Sequence, residues 1–427
     1  MSVYFLKPLW NINRRLIFSL QLLILGISLI IVSSGLANRA AAATSGPITI
    51  STGGVYSGNW LGSTTGAVIT IATSAPVTIQ NSSIENTANG DLIDANYPGA
   101  QLTVRNTSFK GPVGGTAKAI FGYGFKSVDV ENCTILRTWG IRLDNIQSGG
   151  SIVVTKNKAS NIQGSATDAS HFFQAADNVN SSTIEVSWNE IIGQFQQTYV
   201  ADVINIFDSG FAKIHDNYVQ GAYPQTLGGG FSGSGIMLDT GAHDNQVYNN
   251  QVVDTVNTGI GIAGGYNNQV HDNRMVFDGR DDAGDLFAAA NIGLYVWNYE
   301  NESDWANNDA WNNVIGWIKA DGTVNNAWLP DCSGTCANTG LPGPITHATE
   351  QAEYQNWLNK LASNNIQIGT TAGSTLAGDL NGDNHIDAAD LTILLSNWQT
   401  SNATADINAD GTVNVYDLSI LLSHYGS

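Results

Sequence analysis

Oxygen-bearing side chains recur at alternating positions in two stretches near the C-terminus, a spacing suited to a hard divalent cation. Asp379, Asn381, Asp383, His385, Asp387 and Asp390 form the first; Asp406, Asn408, Asp410, Thr412, Asn414 and Asp417 repeat the pattern 27 residues later. Side-chain oxygens at loop positions 1, 3, 5, 9 and 12 converge on one calcium ion because the loop wraps it, and residue 7 (His385 or Thr412) gives its backbone carbonyl. Calcium is therefore the expected cofactor. Ile386 and Val413 fall where the two loops can pack on each other.

A second group of residues has the chemistry of carbohydrate cleavage. Aligning Leu143-Asp144, Phe173-Gln174, Phe207-Asp208 and Leu238-Asp239 as equivalent pairs puts Asp208 and Asp239 in one column on successive coils. They would then lie about 5 Å apart, close to the spacing of a retaining glycosidase pair, and mutual repulsion would raise one pKa; the same aspartates read also as turn caps or holders of a structural cation. Asp202, Lys213 and His215 fall on or near the same coil and complete the candidate catalytic set; Lys213 or His215 would supply the base of a lyase, beside aspartate-held calcium. A non-catalytic glycan binder or adhesin would need only exposed aromatics, for which Tyr295, Trp297, Trp305 and Trp311 are candidates. His171 and His271 read as surface or hydrogen-bonded histidines. Asp278, Asp281, Asp282 and Asp285 read equally as solvated turn carboxylates or a further calcium site.

These groups need a scaffold, and the scaffold is a repeat. Val77–Asn81, Leu102–Asn106, Val128–Asn132, Ile152–Asn157, Ile184–Asn189, Lys213–Asn217, Gln246–Asn250 and Gln269–Asn273 are short strands that each close on asparagine. The Asn-to-Asn spacings are 25, 26, 25, 32, 28, 33 and 23 residues, a coil of roughly 25 with insertions in some turns. Asparagine suits the corner because it tolerates left-handed backbone and its amide can bond to the Asn one coil above. A second strand per coil reads Gly140–Leu143, Gly235–Leu238, Gly259–Ile262 and Gly293–Val296, with Val203–Phe207 among them and apolar residues alternating inward. The expected fold class is an all-β parallel β-helix solenoid, with a last coil ending near Trp328.

Glu350–Ala362 predicts a helix that caps the solenoid, with Thr349 as N-cap and Trp357, Leu358 and Leu361 as its apolar stripe. Domain limits follow: 1–43 a signal peptide or uncleaved anchor, 44–368 the β-helix, 369–377 a linker and 378–427 the calcium module. The leader reading rests on Lys7, Arg14 and Arg15 before the apolar run Leu16–Val32 and on Ala41-Ala42-Ala43 as cleavage site, so the protein is expected to be secreted or at the cell surface. Without residues 1–43 the chain carries 13 basic and 36 acidic residues, about −23, which disfavours nucleic acid and anionic lipid. A monomer acting on polysaccharide is expected. Cys332 and Cys336 can close a small disulfide in an oxidising exterior, and Cys133 reads as a buried small hydrophobe.

Each calcium loop runs into a matching helix, Leu391–Trp398 and Leu418–Tyr425, with no clear helix before the loop. This EF-hand-type loop-then-helix unit, written twice over 378–426, resembles a type I dockerin. The resemblance implies calcium-dependent docking on a cohesin-like scaffold protein, and it favours a polysaccharide-degrading enzyme as cargo. Asn384 stands where the loop expects glycine, and Ala388-Ala389 and Val415-Tyr416 stand where cellulosomal dockerins carry Ser-Thr pairs. The repeats resemble in architecture the right-handed β-helix group of pectate lyases, polygalacturonases and alginate epimerases, without the catalytic motifs of any of the three. A glycoside hydrolase or polysaccharide lyase is the expectation that follows.

Overall fold

The computed structural model describes residues 44–165, 170–178, 182–230, 233–370, 386–400 and 412–423, with positions 378, 380, 402, 405, 407 and 425. The leader expected over 1–43 and the linker core 371–377 lie outside the described residues. Among those described, no helix is long and apolar enough to cross a membrane.

The strands form two sheets, one of 20 and one of 11, and all the paired strands run parallel. Each regular coil contributes two strands to the larger sheet and one to the smaller, as in Ser127–Glu131, Thr134–Leu136 and Ile141–Asp144. The chain is thus a parallel β-helix with three strands per coil, one more than the sequence pattern gave. Inward residues stack in apolar columns: Ile141, Phe173, Ile204, Ile236, Ile260 and Leu294 are register partners in successive coils and fully buried. The repeated Gly at the head of the smaller sheet's strands has a steric cause. A Cβ on Gly235 would sit 2.5 Å from the Gly259 carbonyl oxygen, and one on Gly259 would sit 2.4 Å from that of Gly293. Backbones of successive coils meet there.

The asparagine repeat resolves into two columns with different jobs. Asn81, Asn106 and Asn132 take left-handed backbone (φ 50–53°) at the corner, and Asn106 donates to Asn81 at 3.0 Å. From the next coil on, the left-handed place passes to Lys156, Trp188, Asp216, Asn249, Asp272 and Asn312. The Asn one position later turns inward and is buried: Asn157 donates to Asn189, Asn189 to Asn217, Asn217 to Asn250 and Asn250 to Asn273, each at 2.9 Å. The sequence spacing had joined these columns as one. A further ladder, Asn245 to Asn268 to Asn308, lines another corner and was not anticipated.

The expected helix spans His347–Asn364, and its N-cap is Thr346 rather than Thr349, which serves as the N3 partner of a capping box. Glu350, Glu353, Trp357 and Leu361 are its buried residues, whereas Leu358 is exposed. The helix covers the solenoid's flank instead of its open end. Glu353 clamps Arg274 (2.5–3.1 Å), the Trp357 indole donates to Glu190 Oε2 (3.0 Å) and Lys360 pairs with Asp216 (2.7 Å). The chain then continues to earlier coils, where Gln367 accepts from Asn132 and the Thr370 and Thr134 hydroxyls meet. Cys332 and Cys336 are disulfide-bonded, and Cys133 is buried, its thiol pushed up to about 12 by that burial.

Candidate functional site

The smaller sheet presents one outward column that runs Arg142, Gln174, Asn205, Met237, Gly261, Tyr295 and Trp328. Period two puts these side chains outside while their neighbours fill the core. At its middle the Asn205 amide donates to two carboxylates, Asp202 Oδ2 at 3.0 Å and Asp239 Oδ2 at 3.3 Å. One nitrogen within bonding reach of both keeps the two oxygens no more than about 6 Å apart. Gln174 orients that amide by donating to Asn205 Oδ1 (3.2 Å).

Asp202 has its pKa pushed up to about 7, first by burial and then by the negative charge of Asp239, against hydrogen bonds from Ser234 and Asn205. His171 donates from Nδ1 to the Asp202 backbone carbonyl (2.8 Å) and packs edge-on against Trp139; burial lowers its pKa to about 4, so it is neutral near pH 7. The Tyr295 phenol is raised by burial and by the charges of Asp202 and Asp239, which marks it as the pair's neighbour. Its ring lies back across Gly261, where an added Cβ would come within 2.6 Å of it, and its hydroxyl reaches Met237 Sδ (3.0 Å). Beyond Tyr295 opens a cleft of about 530 Å³, walled by Tyr295, Trp297, Tyr299 and Trp328. The last three are exposed, at 42%, 57% and 57%.

Of the five catalytic candidates, Asp202 and Asp239 meet at this face and three do not. Ile206 pairs with Leu238, so Phe207 stands opposite Asp239, and Asp208 falls one place further on, its amide donating to Thr240 (2.7 Å). Asp208 is an exposed corner residue in left-handed backbone (φ 41°). A shift of one residue changes the face on which a side chain lies. Lys213 and His215 belong to the larger sheet; His215 heads a stack of Tyr248, His271 and Trp311, with ring centroids 4.7–5.4 Å apart. Those rings lie on one another along the solenoid, so the inner faces of the stack are taken by neighbouring rings. Trp311 ends that stack, and Trp305 is bonded to the Asp331 carbonyl, so neither joins the cleft. Tyr299 and Trp328 were missed, although Tyr295-Trp297-Tyr299 is a period-two aromatic run. Asp278 and Asp281 accept backbone amides of their own turns, from Arg280 and from Ala283 and Asp285. Among the described residues, the metal-type group within 4.8 Å is Asp309, Cys332 and Cys336, whose sulfurs are already bonded to each other.

In the C-terminal segment two helices, Ala388–Ser396 and Val415–Ser423, each follow one loop. Ile386 and Val413 are buried together with Leu394, Ala405 and Leu421. The two position-12 carboxylates, Asp390 and Asp417, are also buried, and each accepts a loop amide: Asp390 from Leu380 (2.7 Å) and Asp387 (2.9 Å), Asp417 from Asn414 (2.7 Å). Equivalent buried carboxylates at the close of two equivalent loops settle what the segment is. Residues 377–424 match the dockerin type I domain. No curated protein and no solved structure matches the chain. Dockerin type I domains bind calcium and dock on cohesin partners. In this dockerin Asp387, Asp390, Thr412, Asn414 and Asp417 fit a hard cation by donor type, while the expected ligands Asp379, Asn381, Asp383, His385, Asp406, Asn408 and Asp410 lie outside the described residues. Ala388, Ala389, Val415 and Tyr416 are exposed at the start of its helices.

Proposed function

We propose that the protein is an exported polysaccharide-degrading enzyme, a glycoside hydrolase whose β-helix works through Asp202 and Asp239 and whose dockerin fastens it to a cohesin-bearing scaffold. The observation that carries this reading is the pair of carboxylates bridged by the Asn205 amide, one with its pKa near 7, beside Tyr295, which also walls an aromatic cleft on the same sheet. The bound of about 6 Å that the shared donor sets on their oxygens admits the roughly 5–5.5 Å of retaining glycosidases. Asp202, protonated near neutrality, gives its proton to the glycosidic oxygen while Asp239 attacks the anomeric carbon. Water, deprotonated by Asp202, then cleaves the glycosyl ester and restores both groups. Trp297, Tyr299 and Trp328 supply the apolar faces on which sugar rings stack. Lys213 and His215, on the other sheet, are not part of this site, which favours hydrolysis over elimination.

The test is turnover by Asp202→Asn and Asp239→Asn at unchanged circular dichroism. Each is expected to lose about 10²–10⁴-fold or more in kcat while still binding glycan. Full activity in either variant, or turnover lost only together with the fold, removes the pair from catalysis.

A further inference from the structure

The corner that follows each coil's second strand is filled by small or turn-forming residues: Gly111, Asn161, Gly193 and Gly221 all donate their amides to the next coil there. Arg137 occupies the same corner, with its amide on the Ser160 carbonyl and a φ of 53°. A long side chain in left-handed backbone is disfavoured, and such outliers gather at binding sites. Its guanidinium is also unusual. Nε is buried without a hydrogen-bond partner, and among the described residues the arginines that join ion pairs are Arg105, Arg142 and Arg274. In a chain of 36 acidic and 17 basic residues, Arg137 meets no carboxylate among the described residues, as is true also of Arg280, whose guanidinium instead bonds to the Gly284 carbonyl.

Arg137 lines a cleft of about 490 Å³ with Gln163, Gln196, Gln197, Tyr199 and Gln225. Two of these form its wall: Gln163 accepts from the Gly114 amide (2.8 Å) and donates to the Gln197 carbonyl (3.0 Å), while the Gln197 side chain accepts from Asn161 (3.1 Å). Gln196 is itself left-handed, at φ 65°. Gln196, Gln225 and the Tyr199 hydroxyl make no side-chain hydrogen bond among the described residues. The cleft therefore combines one half-buried cation whose Nε is inaccessible, neutral amides able to both donate and accept, and a phenol. None of its residues belongs to the Asp202–Asp239 face.

We propose that this cleft is a separate binding site for an acidic sugar, with Arg137 holding an oxyanion, either a uronate carboxylate or a sulfate half-ester. Gln196, Gln225 and Tyr199 bond the ring hydroxyls. A guanidinium fork matches either oxyanion with two parallel hydrogen bonds, and partial desolvation strengthens them.

Calorimetric titration of the full chain with an oligogalacturonate, a sulfated galactan oligosaccharide and a neutral xylo-oligosaccharide tests the site. At least one anionic ligand should bind at least about tenfold more tightly than the neutral one, as a charge-assisted contact demands. Arg137→Gly should abolish that preference with the melting temperature equal to or above that of the wild type, because glycine takes the left-handed corner without strain. Arg137→Lys, a point charge without the fork, should retain part of it. Uronate-only or sulfate-only binding names the anion, and either supports the site. Asp202→Asn should bind the anionic ligand as the wild type does, so failure of the hydrolase reading leaves this one standing. Equal affinity for neutral and anionic sugars, an Arg137→Gly variant that binds normally, or one that melts lower would overturn it.

Discussion

Asn205 decides the geometry of the candidate site, since one side-chain amide holds two carboxylates that would otherwise repel each other out of line. Gln174 below it and His171 beside it act through other groups: the first fixes the amide, the second the Asp202 backbone. Gly261 has a similar indirect part, because only a residue without a Cβ lets Tyr295 lie back toward Met237 beside the carboxylates. Gly261→Ala would meet the ring at 2.6 Å and the Met237 sulfur at 2.8 Å. It should push Tyr295 off the face and lower kcat/KM by about ten- to a hundredfold, with a loss of roughly 1–3 kcal/mol in stability. Kinetics like those of the wild type would show that Tyr295 takes no part.

Among the elements, the flank helix brings buried carboxyl groups against the coils, and this gives stability a pH dependence of known sign. Burial and neighbouring acids raise Glu350 to about 8, as they raise Asp202 to about 7 and Asp254 well above its ordinary value. A carboxyl whose folded pKa is raised stabilises the fold while protonated and loses that contribution as pH rises through the folded value. His171, lowered from 6.5 to about 4, acts oppositely and only below 6.5. The melting temperature should therefore fall as pH rises from 6.5 to 8; a flat or rising trend would refute the buried-acid account. The coil length, the strand run from Gly140, Gly235, Gly259 and Gly293, and the inward Ile and Leu were legible because stacked backbones leave so few residue choices. The register was not. Val203 and Ile204 are consecutive and both buried, so alternation breaks at the start of that strand and Asp208, not Phe207, looked like the partner of Asp239. The middle strand of each coil, three residues long as in Lys158–Ser160, was too short to show a period. The helix was legible, but not its place on the flank, which depends on Arg274, Glu190 and Asp216 from three different coils.

At the scale of the whole molecule, the chain carries a long solenoid face with a carboxylate pair and an aromatic cleft together with a C-terminal dockerin; in the proposed function the first acts on a polymer and the second holds it near. The twofold loop pattern made the dockerin readable from sequence alone, since a ligand ladder with period two survives any folding context. The candidate face was only partly readable: Asp202, Asp239, Tyr295 and Trp297 stand out in the sequence, but their assembly on one face depends on a register that no local pattern encodes. The full-length protein, incubated with a panel of neutral and acidic polysaccharides, tests this account most directly when new reducing ends and the ultraviolet absorbance of unsaturated sugars are followed together. Reducing ends that appear without that absorbance are the predicted result. Unsaturated products would identify a lyase, and glycan binding with no product on any polymer would identify a binding protein; either contradicts hydrolysis by Asp202 and Asp239.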